Sequence, residues 1–289
     1  MQRLYVPATV ANLGSGFDVL GVALNLYLEV EYQLGKQDVF LYKGEGEIDD
    51  NPNNIVHQAV AAAFATLNEK PPPLEINVFN PIPLARGMGS SAAARVAGAM
   101  IADQLLGGRL GTEGVFAVAS KLEGHPDNVA PAVFGGFQLA LQEPLIHQDL
   151  AYREDLFCLL AVPNFELTTS SARDALPTEL PLSDAVFNLA RSALWPAALA
   201  TGNLELMREA ARDRLHQPYR LKLMPGAEIA ITAALNLGVP AFVAGAGPSL
   251  AALFFDMPDL LLNIFNKYIG ETGRIFRLSI GGGAKWKAI

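Results

Sequence analysis

The sequence predicts a mixed helix-and-strand protein built in two regions, and three observations carry that expectation. Strand-like runs at residues 19–32 and 74–79 are interleaved with alanine-rich segments of helical spacing. A further strand-like run at 157–162 opens a second region from about residue 151. The 289 residues are 51% hydrophobic and 17% charged, enough apolar material for one large or two closely packed cores and too much for a disordered chain.

Taken in order, residues 4–6 suit a strand, which Pro7-Ala8-Thr9 interrupts. The stretch ANLGSGFD at residues 11–18 places Asn12 and Asp18 around two glycines between apolar flanks, a turn that presents polar side chains at the edge of a core. Those side chains either reach a ligand or only close the turn through their own hydrogen bonds. Residues 19–32 alternate in their second half and read as a long strand. A polar turn at 49–54 then opens a helix with apolar Ile55, Ala59, Ala62, Ala63 and Leu67, and Asn53 or Asn54 suits its N-cap. Three prolines at 71–73 separate that helix from the strand at 74–79. Further helices are expected at 112–124 and 227–237, and further strands at 157–162, 238–243 and, on a sheet edge, 273–280. The glycine-rich residues 281–285 read as a frayed tail.

Between the strand at 74–79 and the next helix lies PIPLARGMGSSAAARVAGAM, residues 81–100. The first amides of a helix lack intrahelical acceptors, and the helix dipole places partial positive charge there, so such a start binds anions. Gly87 and Gly89 allow close backbone approach, and Ser90 and Ser91 offer hydroxyls to phosphate oxygens or a metal-bound water. The alternative is a glycine turn that merely caps a buried helix. A Walker A loop needs Lys where Ser90 stands, which excludes that motif. A dinucleotide fingerprint is formally met by Gly87, Gly89 and Ala92, but no acidic residue stands at the ribose position.

The formal net charge is −8, with no basic patch, which argues against nucleic acid or an anionic membrane surface as partner. A polyphosphate would meet the same repulsion, so its binding must rest on local amides, a few Arg or Lys residues and a divalent cation. No apolar run reaches the roughly 18 residues of a membrane span. The start MQRLYVPATV lacks the apolar segment of a signal peptide, and Cys158 is the single cysteine, so a cytoplasmic enzyme is the expectation.

Other polar constellations follow the loop. Glu123-Gly-His-Pro-Asp-Asn128 gathers four functional side chains in six residues, including hard oxygen donors of the kind Mg²⁺ prefers. Thr168 to Asp174 and Asp213 to Arg220 each contain an arginine, Arg173 and Arg220, suited to a bidentate grip on a carboxylate or, equally, to a solvated surface. Ala244-Gly-Ala-Gly-Pro-Ser249 is a second glycine loop, either a simple turn or the opposite wall of a cleft.

These residues together resemble the GHMP small-molecule kinases. Three motifs carry the resemblance: residues 7–21 (PATVANLGSGFDVLG), residues 83–93 (PLARGMGSSAA) and Gly245-Ala-Gly-Pro-Ser249. Glu123 to Ala132, Thr168 to Pro177 and His216-Gln-Pro-Tyr-Arg220 point to the branch acting on L-homoserine. Met88 stands where Leu is common, and Ala244 and Ser249 replace Ser and Thr, all changes that keep size or hydroxyl character.

The resemblance implies an α+β fold with a ribosomal-protein-S5-like domain at residues 1–150 and a ferredoxin-like domain at 151–289. It implies ATP-dependent phosphorylation of the L-homoserine hydroxyl, a step toward threonine, with ATP and Mg²⁺ required and a homodimer as the assembly. Pro83, Leu84, Ala85, Arg86, Gly87, Met88, Gly89, Ser90, Ser91, Ala92 and Ala93 fall on its phosphate loop, and Asn54 near the adenine. Ser90 and Glu123 fall on the metal site. Asn12, Asp18, His125, Asn128, Arg173, Arg220 and Gly245 surround the amino acid, Thr169 lies near the transferred phosphate, and Asp127 stands where some relatives place an Asp beside the acceptor hydroxyl. A mevalonate- or sugar-directed kinase would share the glycine loops without needing Asp18 and the two arginines. A non-catalytic nucleotide-binding protein would be expected to lose Glu123 or the acceptor pocket.

Overall fold

Alternating apolar residues build the first sheet in the computed structural model, which describes residues 2–48, 51 and 53–288. Strand β1 (Gln2–Ala11) pairs antiparallel with β2 (Leu20–Leu34). Strand β3 (Val39–Gly44) runs parallel to β4 (Leu74–Asn80), which pairs antiparallel with β2. Helices α1 (Ile55–Ala65), α2 (Ser90–Leu105), α3 (Gly111–Glu123) and α4 (Val129–Phe134) bury Val56, Val60, Val96, Ile101 and Phe116 against Leu4, Val6, Val30, Ile76 and Val78 of the sheet. Strand β5 (Phe137–Leu141) pairs with the start of β2 and with β6 (Ile146–Leu150). β1 runs on through Pro7, where an interruption was expected; a register shift between Pro7 and Ala8 absorbs the missing N–H. Part of the polar turn expected at 49–54, Asp49, Asp50 and Pro52, lies outside the described residues.

The second sheet begins with β7 (Phe157–Val162). Five short helices follow: α5 (Thr169–Asp174), α6 (Leu182–Ser192), α7 (Trp195–Thr201), α8 (Leu204–Ala210) and α9 (Gln217–Arg220). Trp195, Leu199, Met207 and Ala210 are fully buried in the first core, so these helices weld the two sheets together. Helix α10 (Ala227–Asn236), strands β8 (Ala241–Val243) and β9 (Leu250–Phe254), helix α11 (Asp259–Ile269) and strand β10 (Arg274–Ser279) complete an antiparallel sheet of order β10-β7-β9-β8. That β-α-β-β-α-β arrangement is ferredoxin-like, as expected. Its own core packs Ala230, Ala234, Leu261 and Phe265 on Leu159, Ala161, Val243 and Ala252.

The chain end corrects the frayed-tail expectation. Gly281 donates to the Ala23 carbonyl at 2.8 Å, Ala284 donates to Ala132 at 2.9 Å, and β11 (Lys285–Ala288) pairs with β1 on the far edge of the first sheet. A Cβ on Gly281 would lie 2.6 Å from the Leu24 backbone, so the glycine there serves close backbone passage rather than freedom.

Candidate active site

The strand at 74–80 delivers the chain to the glycine loop, and α2 starts with Gly89 as N-cap at φ +67° and no side-chain cap. Its first amides therefore remain open to an anion. Asn80 fixes the entry: its Oδ1 accepts from Ile82 N at 3.0 Å and its Nδ2 donates to Ser90 Oγ at 3.1 Å. From the other side Gly87, at φ +72°, lies so close to the second glycine loop that a Cβ would sit 2.0 Å from the Ala244 carbonyl oxygen. The two glycine loops thus touch through their backbones.

One cleft gathers Asn12, Asp18, Pro83, Ala85, Arg86, Gly87, Met88, Gly89, Ser90, Ser91, Glu123, His125, Asp127, Asn128, Thr169, Arg173, Arg220 and Gly245. Four candidates fall outside it. Asn54 caps α1, accepting from Val56 N and His57 N at 2.9 and 3.1 Å. Leu84 lines a neighbouring hollow with Glu45 and Arg274, and Ala92 and Ala93 are buried in the core under α2.

Asn12, read as turn former or ligand contact, ties the 12–18 turn to the second glycine loop. Its Nδ2 donates to the Gly245 carbonyl at 2.7 Å and its Oδ1 accepts from Asp18 N at 3.0 Å. Asn12, Leu13, Asp18 and Ala85 all adopt positive φ although none is glycine, and strain of this kind gathers at functional sites. Asp18 meets Arg173 in a two-armed contact of 2.9 and 3.0 Å, which holds the guanidinium more firmly protonated. Arg220, by contrast, is almost fully buried and its three hydrogen bonds go to neutral acceptors. Burial pushes its pKa down to about 10. A buried cation that makes no ion pair among the described residues is a site for an anionic ligand.

Across the cleft, His125 Nδ1 donates to Asp127 Oδ1 at 2.6 Å. Burial opposes the imidazolium, but the bond to Asp127 and its charge prevail, and the His125 pKa is raised. The Asp127 carboxylate is itself buried and also accepts from Asn128 N at 2.9 Å. Asn128 Oδ1 accepts from the Thr9 hydroxyl at 2.8 Å. Glu123 receives Ser91 Oγ at 3.0 Å and an Arg95 ion pair, both on Oε2, and among the described residues Oε1 has no partner. Arg86 braces the phosphate loop rather than standing free, donating to the carbonyls of Leu84 and Pro163 at 3.0 Å.

Sequence reasoning missed Thr9, Asn80 and Arg95. Arg95 stands one helical turn after Ser91, a spacing that does signal a shared face. Thr9 and Asn80 carried no local signal, because their contacts are set by the fold.

Residues 54–136 match the GHMP kinases N terminal domain, and residues 197–268 the GHMP kinases C terminal domain. A homoserine kinase of Thermus thermophilus is 57% identical over 289 residues, covering 99% of each chain. The chain belongs to the GHMP kinase family. A second relative of this GHMP kinase, the homoserine kinase of Moorella thermoacetica, is 44% identical over 87% of each chain. The crystal structure of homoserine kinase from Cytophaga hutchinsonii superimposes with a TM-score of 0.87 at 29% identity, covering 99% of this chain and 96% of that one. Mevalonate kinase from L. major, at 15% identity and TM-score 0.72, shares the fold of this GHMP kinase and covers 96% of this chain and 95% of its own.

Proposed function

We propose that this chain transfers the γ-phosphoryl group of ATP to the side-chain hydroxyl of L-homoserine. The observation that carries the reading is the convergence of an uncapped helix start with Asp18, Arg173 and the buried guanidinium of Arg220 in one cleft. A zwitterionic acceptor needs both signs of charge, with Asp18 for its ammonium and the two arginines for its carboxylate. Full-length likeness to homoserine kinases supports the same acceptor.

Phosphoryl transfer depends mostly on positioning and charge neutralisation. The α2 amides and the Gly87–Gly89 backbone would hold the phosphates, and Thr169 at the start of α5 lines the same cleft. Glu123, through its free Oε1, and Ser90 would hold Mg²⁺, which would supply charge neutralisation for phosphoryl transfer. Asp127, buried and engaged with His125 and Asn128, orients this wall of the cleft; no side-chain base is essential, and the phosphate takes the hydroxyl proton.

ADP release measured with homoserine, threonine, mevalonate, galactose and shikimate tests the reading. Turnover with homoserine above the others is expected, and absence of turnover with any amino alcohol overturns it. A cytoplasmic homodimer without nucleic-acid or membrane partners completes the proposal; no described helix is long and apolar enough to cross a membrane. Light scattering on the purified chain tests the dimer.

A further inference from the structure

One buried histidine has no part in the chemistry above. His216 precedes α9, is fully buried and does not line the cleft, yet it touches Arg220, which does. Its Nε2 lies 2.9 Å from the Gly14 carbonyl oxygen. A carbonyl only accepts, so Nε2 carries the proton and Nδ1 keeps a lone pair. That lone pair faces Arg220 Nη1 at 3.3 Å. Asp213 Oδ2 is 3.7 Å from Nε2, but the Asp213 carboxylate already accepts from the amides of Leu215, His216 and Gln217 and from Asn188 Nδ2.

The Arg220 donors can be counted. Nε donates to Ala172 O at 3.3 Å, and Nη1 donates to Gly245 O at 3.0 Å and to His216 Nδ1. A guanidinium has five N–H groups. Among the described residues the two on Nη2 have no partner. Phe17 completes the clamp: its ring stacks on the imidazole at 5.1 Å and 21°, and the Arg220 guanidinium carbon lies 5.2 Å from the ring centroid.

We infer that His216 is a positioning residue for acceptor recognition: as the neutral Nε2–H tautomer it shares Nη1 of Arg220 with Gly245 and leaves Nη2 to take the acceptor's carboxylate. The inference rests on reading Arg220 as the carboxylate grip. Burial, against the pull of Asp213, holds the imidazole below its ordinary pKa, and the charge of Arg220 adds to the effect. A protonated His216 would turn an N–H toward the guanidinium and lose the bond.

Two amides separate this role from mere packing. In His216→Asn the amide oxygen can stand where Nδ1 stands, whereas in His216→Gln the amide reaches the Nε2 position and leaves Arg220 Nη1 with Gly245 O as its one remaining acceptor. His216→Gln should raise the homoserine KM about tenfold or more, in line with loss of a hydrogen bond to a charged group. Its ATP KM should stay within about twofold of wild type, and His216→Asn should recover most of the homoserine loss. Equal KM values for homoserine in the two variants, or parallel rises in both substrates' KM, would overturn the inference. ¹⁵N NMR of the unliganded wild type reads the tautomer without substrate: Nε2–H is expected, and an imidazolium or Nδ1–H signal overturns it. Wild-type turnover with homoserine tests the underlying reading separately.

Discussion

Gly87→Ala puts the contact between the two glycine loops to a quantitative test. The position has φ +72°, where an L side chain costs about 1–2 kcal/mol. The new Cβ would also sit 2.0 Å from the Ala244 carbonyl oxygen and 3.1 Å from Gly247 N. Ordinary contacts begin near about 3.5 Å, so the loops must part by more than about 1 Å, and overpacking of this kind costs about 1–3 kcal/mol. The sum, about 2–5 kcal/mol, corresponds to a Tm fall of roughly 3–8 °C for a chain of this size. Separated loops also misplace the phosphates relative to the acceptor, so kcat should drop at least about tenfold. Gly108→Ala is the matched control, with φ +80° and nothing within 4 Å of the added carbon. Thermal unfolding and ADP release on both variants provide the comparison. Equal Tm shifts, or an unchanged kcat in Gly87→Ala, would refute the reasoning.

The remaining predictions concern the charged groups. Arg220→Ala should raise the homoserine KM about tenfold or more and relax discrimination against analogues that lack the carboxylate; an unchanged KM removes Arg220 from the pocket. Asp127→Asn should lower turnover by less than about 10²-fold in steady-state assays, and a larger loss with folding and binding intact would make it the missing base. Glu123→Gln should raise the Mg²⁺ concentration needed for half-maximal turnover, measured by metal titration at fixed ATP. The folded-state pKa of His125 lies above its ordinary 6.5, so its pair with Asp127 stabilises fully below that pH and fades as pH rises through the raised value. The Tm gap between wild type and His125→Gln should therefore narrow from acidic to alkaline buffer, and a gap that widens contradicts the assignment.

Local chemistry explains what could be read before the fold was known. The phosphate loop was legible because glycine, hydroxyl and helical spacing are all written within about twenty residues, and Asn54 was legible as a cap for the same reason. The ion pair of Arg173 with Asp18 was not, since it joins α5 to a turn more than a hundred residues earlier. Nor was the contact of Gly87 with Ala244, which exists only because two sheets meet. Glycines 281 to 283 misled for a related reason. Composition reports how freely a backbone can move, and here the missing side chains of Gly281 and Gly283 make room for the Leu24 backbone of β2 and the end of α4.

The pairing of β11 with β1 also orders events in time. Tyr5 finds Lys285 far along the chain, so one flank of the first strand stays bare until the residues of β11 have been made. Local pieces such as the α1–α2 pair can form as they emerge, but the first sheet closes last. Until then β1 offers unpaired amides and carbonyls to any passing strand, which makes the nascent chain more exposed to aggregation than the finished protein.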